Sequence, residues 1–310
     1  GTATKTFTVF ESVTFSGVLH GSIKTSVASG QTLTTTAAIA NGKTIDGDGS
    51  VAITALHSTL AANLGAITAA GGVTAAFDGN GTFTGVLGTT TVTVADDVTM
   101  TAAANVVDNK TINKSGSGSN NGALAVKIVS TADDGAINLT TAGGGSGTAT
   151  KTFEVTGNVE FSGTLHGSIK TSVASSQTLT TTAAIANGKT IDGSGSVAIT
   201  ALHSTLAADL SGITASGGRT AAFDGNATFT GVLGTTTVTV GNSNTMTAAA
   251  NVVAGKTINQ LGGGSGALAV QIGTADNDDD LTTIGGTATK TFTVFESVTF
   301  SGTLHGSIKT

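Results

Sequence analysis

Gly1–Thr25 reads GTATKTFTVFESVTFSGVLHGSIKT, and Gly286–Thr310 reads GTATKTFTVFESVTFSGTLHGSIKT, with Val18 replaced by Thr303 as the only change. A middle copy, GTATKTFEVTGNVEFSGTLHGSIKT, occupies Gly147–Thr171. The 310-residue chain opens and closes at the same phase of a long repeat, as expected of a window of a longer periodic polymer. Repetition outranks other signals, because repeat architectures build their core between neighbouring copies. The large period runs from Gly1 to Gly147 to Gly286, 146 and then 139 residues. It divides the chain into a first large repeat, 1–146, a second, 147–285, and the start of a third, 286–310.

A smaller period lies inside the large one. FSGVL at Phe15–Leu19 returns as FTGVL at Phe83–Leu87, FSGTL at Phe161–Leu165, FTGVL at Phe229–Leu233 and FSGTL at Phe300–Leu304. GKTI at Gly42–Ile45 returns at Asn109–Ile112 (as NKTI), Gly188–Ile191 and Gly255–Ile258. The unit is about 70 residues, duplicated into a pair, and the pair is repeated in tandem. Length changes fall in Gly/Ser-rich stretches such as SGSGSNNG at 115–122, where extra loop costs little entropy.

Within each unit the polarity alternates with a period near 2. Ser22–Val27, Thr32–Thr36, Ser50–Thr54, Thr82–Gly85 and Thr90–Val94 read as short strands bounded by Gly, Asn or Asp. Composition points the same way. The chain has 45 Gly, 12 Phe and no Trp, Tyr, Pro or Cys. Thr and Val favour extended backbone, and a set of small side chains suits a thin layered core. Hydrophobic content of 38% separates the chain from disordered Gly/Ser/Thr-rich sequences. These features predict an all-β repetitive β-solenoid, a parallel β-helix; tandem β-sandwich domains are the alternative. With 20–24 residues per coil, about 13–15 coils would span about 60–70 Å. One segment departs from period 2: Leu56, Leu60, Leu64 and Ile67 are spaced for a short helix, or for corners of a coil.

Net charge is −6, and the 13 basic residues are dispersed without aromatic platforms, which argues against a nucleic-acid partner. The most apolar uncharged stretch, Leu60–Phe77, is mostly Ala, Gly and Thr, so no membrane insertion is expected. Four Glu residues, Glu11, Glu154, Glu160 and Glu296, are too few and too variable between copies for a repeated hydrolytic pair. Gly42–Thr44 lacks the upstream glycine spacing of a phosphate loop. The expectation is a non-catalytic chain.

Four groups remain as candidate sites. The carboxylates Asp133, Asp134, Asp276, Asp278, Asp279 and Asp280 crowd Gly-flanked loops, a donor set suited to calcium, although a solvated acidic loop reads equally well. His20, His166 and His305 recur in one motif, LHGSIK, and His57 and His203 in ALHSTL, where a turn role competes with ligand or proton transfer. Asp46–Ser50 (DGDGS) becomes DGSGS at Asp192–Ser196, which keeps the turn and loses a carboxylate. Thr at alternate positions in TLTTT and TTTVTV would form a hydroxyl–methyl lattice on a flat face, the pattern an ice-binding surface uses.

The stretches TVADDVTMTAAANVVDNKTI (Thr93–Ile112), ALHSTLAANLGAITA (Ala55–Ala69) and FDGNGTFTGVLG (Phe77–Gly88) resemble repeats of very large bacterial cell-surface and adhesin-like proteins. The resemblance covers nearly the whole chain and lies in composition and cadence. It implies export to the cell surface or beyond, a fibrous parallel β-helix and structural or adhesive use. It carries over no binding residue. The resulting expectation is a structural module of an extracellular filament, with copies of itself as partner, head-to-tail or laterally; the alternative is an adhesin stalk or a module binding glycans, cells or ice.

Overall fold

The computed structural model describes residues 5–116, 122–144, 147–276 and 278–306; the ends of the repeated motif and most of the 115–122 loop lie outside them. The chain divides into two compact units, one of Gly1–Ile128 with Ile137–Glu154, the other of Val129–Ala136 with Val155–Thr310. Both are dominated by short strands, and the strand pairings within each are parallel.

In the first unit most strands pair with the next strand but one, while Ser50–Thr54 pairs directly with the strand that follows it, Val73–Phe77. Thr6–Val9 pairs with Lys24–Val27, and that strand with Ile45–Asp46. The strands between them build a second sheet of Val13–Phe15, Thr32–Thr36, Ser50–Thr54, Val73–Phe77, Thr91–Val94 and Ile112–Lys114. Gly81–Phe83, Thr99–Ala103 and Ala123–Ile128 form a further run. The second unit repeats the plan, with Val159–Phe161, Thr178–Thr182, Ser196–Thr200, Gly218–Phe223, Thr237–Val240 and Ile258–Gln260 in one sheet. Ala227–Phe229, Thr245–Ala249, Ala267–Ile272 and Thr289–Val294 form another. Side-chain hydrogen bonds follow the same step, joining residues 19 to 22 apart. The sandwich alternative is overturned: such sheets are antiparallel and joined by hairpins, whereas these are parallel.

The burial pattern of Thr32–Thr36 explains the strands. Leu33 and Thr35 point inward and the other three Thr are half-buried on the outer face. Parallel register stacks inward residues into columns. One runs Phe15, Thr35, Ile53, Ala75, Val92, Ile112, and its counterpart runs Phe161, Thr181, Ile199, Ala221, Val238, Ile258. Large and small side chains share each column, as a close-packed thin core requires. The buried Thr hydroxyls are satisfied: Thr35 donates to the Phe15 carbonyl (3.1 Å) and Thr181 to the Phe161 carbonyl (2.8 Å).

Corners come in two forms. Four-residue helical turns occupy Ala37–Ala40 and Ala183–Ala186, where Thr36 and Thr182 accept from the amides of Ile39 and Ile185. Positive-φ residues make the others, at Gly42, Gly188 and Gly255, with Asn109 at φ 53 in the equivalent place. Of the two readings of the Leu56–Ile67 spacing, the helix does not form: the segment has a single 3-10 turn, Leu56–Ser58, entered through Ala55 at φ 53. Leu56, Leu64 and Ile67 are buried there as corner residues. The Leu64 amide donates to Val86 in the next turn of chain (2.8 Å), so backbone groups a helix would use internally are spent between turns.

Candidate functional site

The carboxylates read as calcium donors sit on corners. In the second unit, the buried Asp134 accepts from the amides of Val129 (2.8 Å) and Ser130 (3.4 Å), closing the helical turn Thr131–Asp134. Ser130 caps the same turn and donates to the Asp133 carboxylate (2.9 Å). Asp276, also buried, accepts from Asn251 (2.9 Å) with one oxygen and from Gly273 (2.8 Å) with the other. Asp280 accepts from the amide and hydroxyl of Thr282. Asp278 is exposed. Asp279 is half-buried, and burial, reinforced by Asp276 and Asp278, raises its pKa above the ordinary carboxylate range. Among the described residues no three His or carboxylate side chains converge as a metal would need. Asp134, Asp276 and Asp280 thus serve backbone amides, and sequence spacing alone carries no mark of those partners.

Asp46 and Asp192, the retained acids of the DGDGS and DGSGS turns, pair with Lys24 (2.7 Å) and Lys170 (2.5 Å). Each therefore ties LHGSIK to the following turn, and the two repeats do it identically. Lys110 and Lys256 donate to the carbonyls of Gly88 (2.9 Å) and Gly234 (2.7 Å). Lys151 and Lys290 reach the carbonyls of Gly144 and Gly286, and burial lowers both their pKa values. Asn side chains provide further links missed in the sequence: Asn41, Asn80, Asn187 and Asn226 accept from Asn63, Thr99, Asp209 and Thr245 amides, all at 2.7–2.8 Å.

The histidines divide by motif. His20 and His166 accept through Nδ1 from the amides of Ser22 (3.1 Å) and Ser168 (3.2 Å), a turn-closing role. His305 stacks on Phe292, centroids 5.6 Å apart. His57 is different. Its Nδ1 contacts the Asp78 carboxylate and its Nε2 lies 3.0 Å from the Ser58 hydroxyl. This is the Ser–His–Asp order of bonds used in nucleophilic catalysis, set on an open surface with Ser58 and Asp78 exposed. The second unit does not keep it: His203 packs edge-on against Phe223 (6.3 Å), and its Nδ1 makes no hydrogen bond. A constellation present in one copy and lost in its twin argues for a local clip between turns.

The outer sheet faces carry Thr in register. Thr14, Thr34, Ala52, Thr74 and Thr91 form one row of the first unit, and Glu160, Thr180, Ala198, Thr220 and Thr237 its counterpart in the second. In the second unit a shallow groove beside this row is lined by Thr131, Glu160, Ser162, Thr180, Thr182 and Thr200. Ala interrupts each row at the third position, so the hydroxyl lattice is incomplete.

Comparison with protein-family models, curated proteins and solved structures finds no match for this chain. No helix among the described residues is long and apolar enough to cross a membrane.

Proposed function

We propose that this chain is a β-solenoid module of a long extracellular or cell-surface filament, and that its function is mechanical. The observation that carries the reading is the in-register parallel pairing of strands one turn apart, repeated with the same side-chain ladders in both units. Each turn of chain covers the apolar face of its neighbour, so stability accrues between neighbours and grows with copy number. Cross-turn links recur at equivalent places, Lys24–Asp46 with Lys170–Asp192 and Asn80 with Asn226. The conserved parts of the repeat are thus spent on holding turns together. The resemblance to giant surface proteins supports the location and the non-catalytic role. Copies of the same chain are the natural partner, because an outermost parallel strand continues into another of its kind.

Diffraction from oriented assemblies tests this. A reflection near 4.8 Å along the fibre axis is expected for strands stacked along it. Its absence on the axis, with only a bead-like long period, would sink the solenoid reading. The Thr-, Ser- and Glu-lined groove of the second unit supports one second reading, an adhesive module for a hydroxyl-rich ligand such as a glycan. Saturable glycan binding lost in Glu160→Ala would favour it over a pure scaffold.

A further inference from the structure

The stretch INLTT at Ile137–Thr141 contains Asn138-Leu139-Thr140, an Asn-x-Thr/Ser triplet. Four more such triplets begin at Asn80, Asn109, Asn113 and Asn226. The triplet is the acceptor pattern for N-linked sugars, which are attached on surface loops. The five are held in different ways. Asn80 and Asn226 spend Oδ1 on the amides of Thr99 and Thr245 (both 2.7 Å), and the threonine of each triplet lies in a strand, Gly81–Phe83 or Ala227–Phe229. Asn113 lies inside the strand Ile112–Lys114 and accepts from the Thr148 amide (3.3 Å). Asn109 is the corner at φ 53 that leads into the same strand.

Asn138 is closed on its own triplet. Its Oδ1 accepts from the Thr140 amide (3.0 Å) and from the Thr140 hydroxyl (2.6 Å). Leu139 between them is fully buried, while Asn138 and Thr140 are exposed. The Thr141 amide donates to the Asn138 carbonyl (3.0 Å), and the Thr141 hydroxyl reaches the Asp108 carboxylate (2.7 Å), so the triplet stands on a pinned corner. The second unit makes the same turn from Asp280-Leu281-Thr282: Oδ1 of Asp280 accepts from the Thr282 amide (3.0 Å) and hydroxyl (2.6 Å), and Leu281 is fully buried. A carboxylate builds this turn as well as an amide does. The turn therefore uses only the oxygen of Asn138, and the Nδ2 amide nitrogen is left over.

We infer that Asn138 is the acceptor for an N-linked sugar, delivered from a diphosphate-activated donor by a transferase that reads Asn-x-Thr/Ser. Nδ2 forms a bond to the anomeric carbon as the bond from that carbon to the diphosphate oxygen breaks. The diphosphate leaves with the electron pair, and one amide proton passes to a base of the transferase. Oδ1 gains negative charge as that proton is drawn off, and two donors from Thr140 are already aimed at it. At Asn80, Asn113 and Asn226 the same oxygen is committed to a neighbouring turn, so access requires local opening of the strands. The inference goes beyond the filament reading and rests on it only for where the chain meets its transferase.

The folded 310-residue chain is offered two donors in separate arms: UDP-glucose with a nucleotide-sugar N-glucosyltransferase, and a polyprenyl-diphosphate oligosaccharide with a lipid-dependent oligosaccharyltransferase. In at least one arm the tryptic peptide 128–151 is expected to gain the mass of the transferred sugar while the other four triplets stay bare, and the arm that works names the donor. Asn138→Asp should lose the added mass yet keep its circular dichroism and melting temperature, because Asp280 serves in the same turn. Thr140→Ala should lose the added mass too. Asp280→Asn should gain a second sugar, on the tryptic peptide 257–290. A folded chain that takes no sugar at Asn138 in either arm, or takes it as readily at Asn80 and Asn226, would overturn the assignment. So would an Asp280→Asn chain that stays bare at its new triplet while Asn138 is modified. The axial reflection near 4.8 Å tests the filament reading separately, whichever way these arms come out.

Discussion

Two glycines five positions apart separate backbone conformation from close packing. Gly188 has φ 65, and a Cβ there would meet nothing within 4 Å. Gly193 has φ 102, and a Cβ there would sit 2.6 Å from the Val173 nitrogen and nearer still to its carbonyl. Gly188→Ala carries only the left-handed penalty, about 1–2 kcal/mol. Gly193→Ala carries a similar backbone penalty and must also push adjacent turns apart. The carbonyl it strikes accepts from the Gly195 amide (2.9 Å), and the Gly193 carbonyl itself accepts from Ser216 (2.8 Å). Losing one of these and stranding a buried carbonyl adds about 1–3 kcal/mol. The expected totals are therefore about 1–2 kcal/mol for Gly188→Ala and about 2–5 kcal/mol for Gly193→Ala. Without Trp or Tyr, urea unfolding is best followed by far-UV circular dichroism, with hydrogen exchange over 171–218 reporting local opening. Gly42 and Gly47 repeat the contrast in the first unit, at φ 67 and 102. Equal costs for the two members of each pair, within about 0.5 kcal/mol, would refute the close-approach argument.

Four other outcomes follow from the same structure. Phe83→Ala empties a fully buried site and should cost about 3–5 kcal/mol, seen as lost exchange protection in Gly81–Phe83 and the paired Thr99–Ala103. Asn109→Gly should stabilise by about 0.5–1 kcal/mol in urea unfolding, because Asn109 holds a φ of 53 where three equivalent corners use Gly. Asp276→Ala removes a buried acceptor from two amides and should cost about 1–3 kcal/mol; protection of the Asn251 and Gly273 amides should fall with it. Asp279 binds its proton more tightly folded than unfolded, so its contribution worsens as pH rises from the ordinary carboxylate range through the raised folded value. Asp279→Asn should then raise the melting temperature at pH 7 and give no gain near pH 3; a gain independent of pH would contradict the assignment.

The repeat, its two periods, the strands at Thr32–Thr36 and Ser50–Thr54 and the Gly corners were all legible in the sequence. They depend on local chemistry: alternation declares a half-buried strand, and a positive φ selects Gly or Asn. The candidate sites were legible only as residue types. Nothing in TADD announces that Asp134 closes its own turn, or in ALHSTL that His57 meets Asp78 from the following turn, since both depend on how backbone is brought together in space. The Leu56–Ile67 spacing is ambiguous in the same way. Four-residue spacing fits a helix or a run of corners equally, and the amide of Leu64, bound to Val86, decides for corners.

Gly1–Thr25 and its copies by themselves determined that the chain is a tandem repeat of short strand-forming pieces, because alternation and Gly corners recur with each copy. Only the tertiary structure decided that the strand pairing is parallel and which columns the inward residues join. A strand's alternation fixes which side chains turn inward, but its partner is chosen by the turns that return the chain to it, a property of three dimensions.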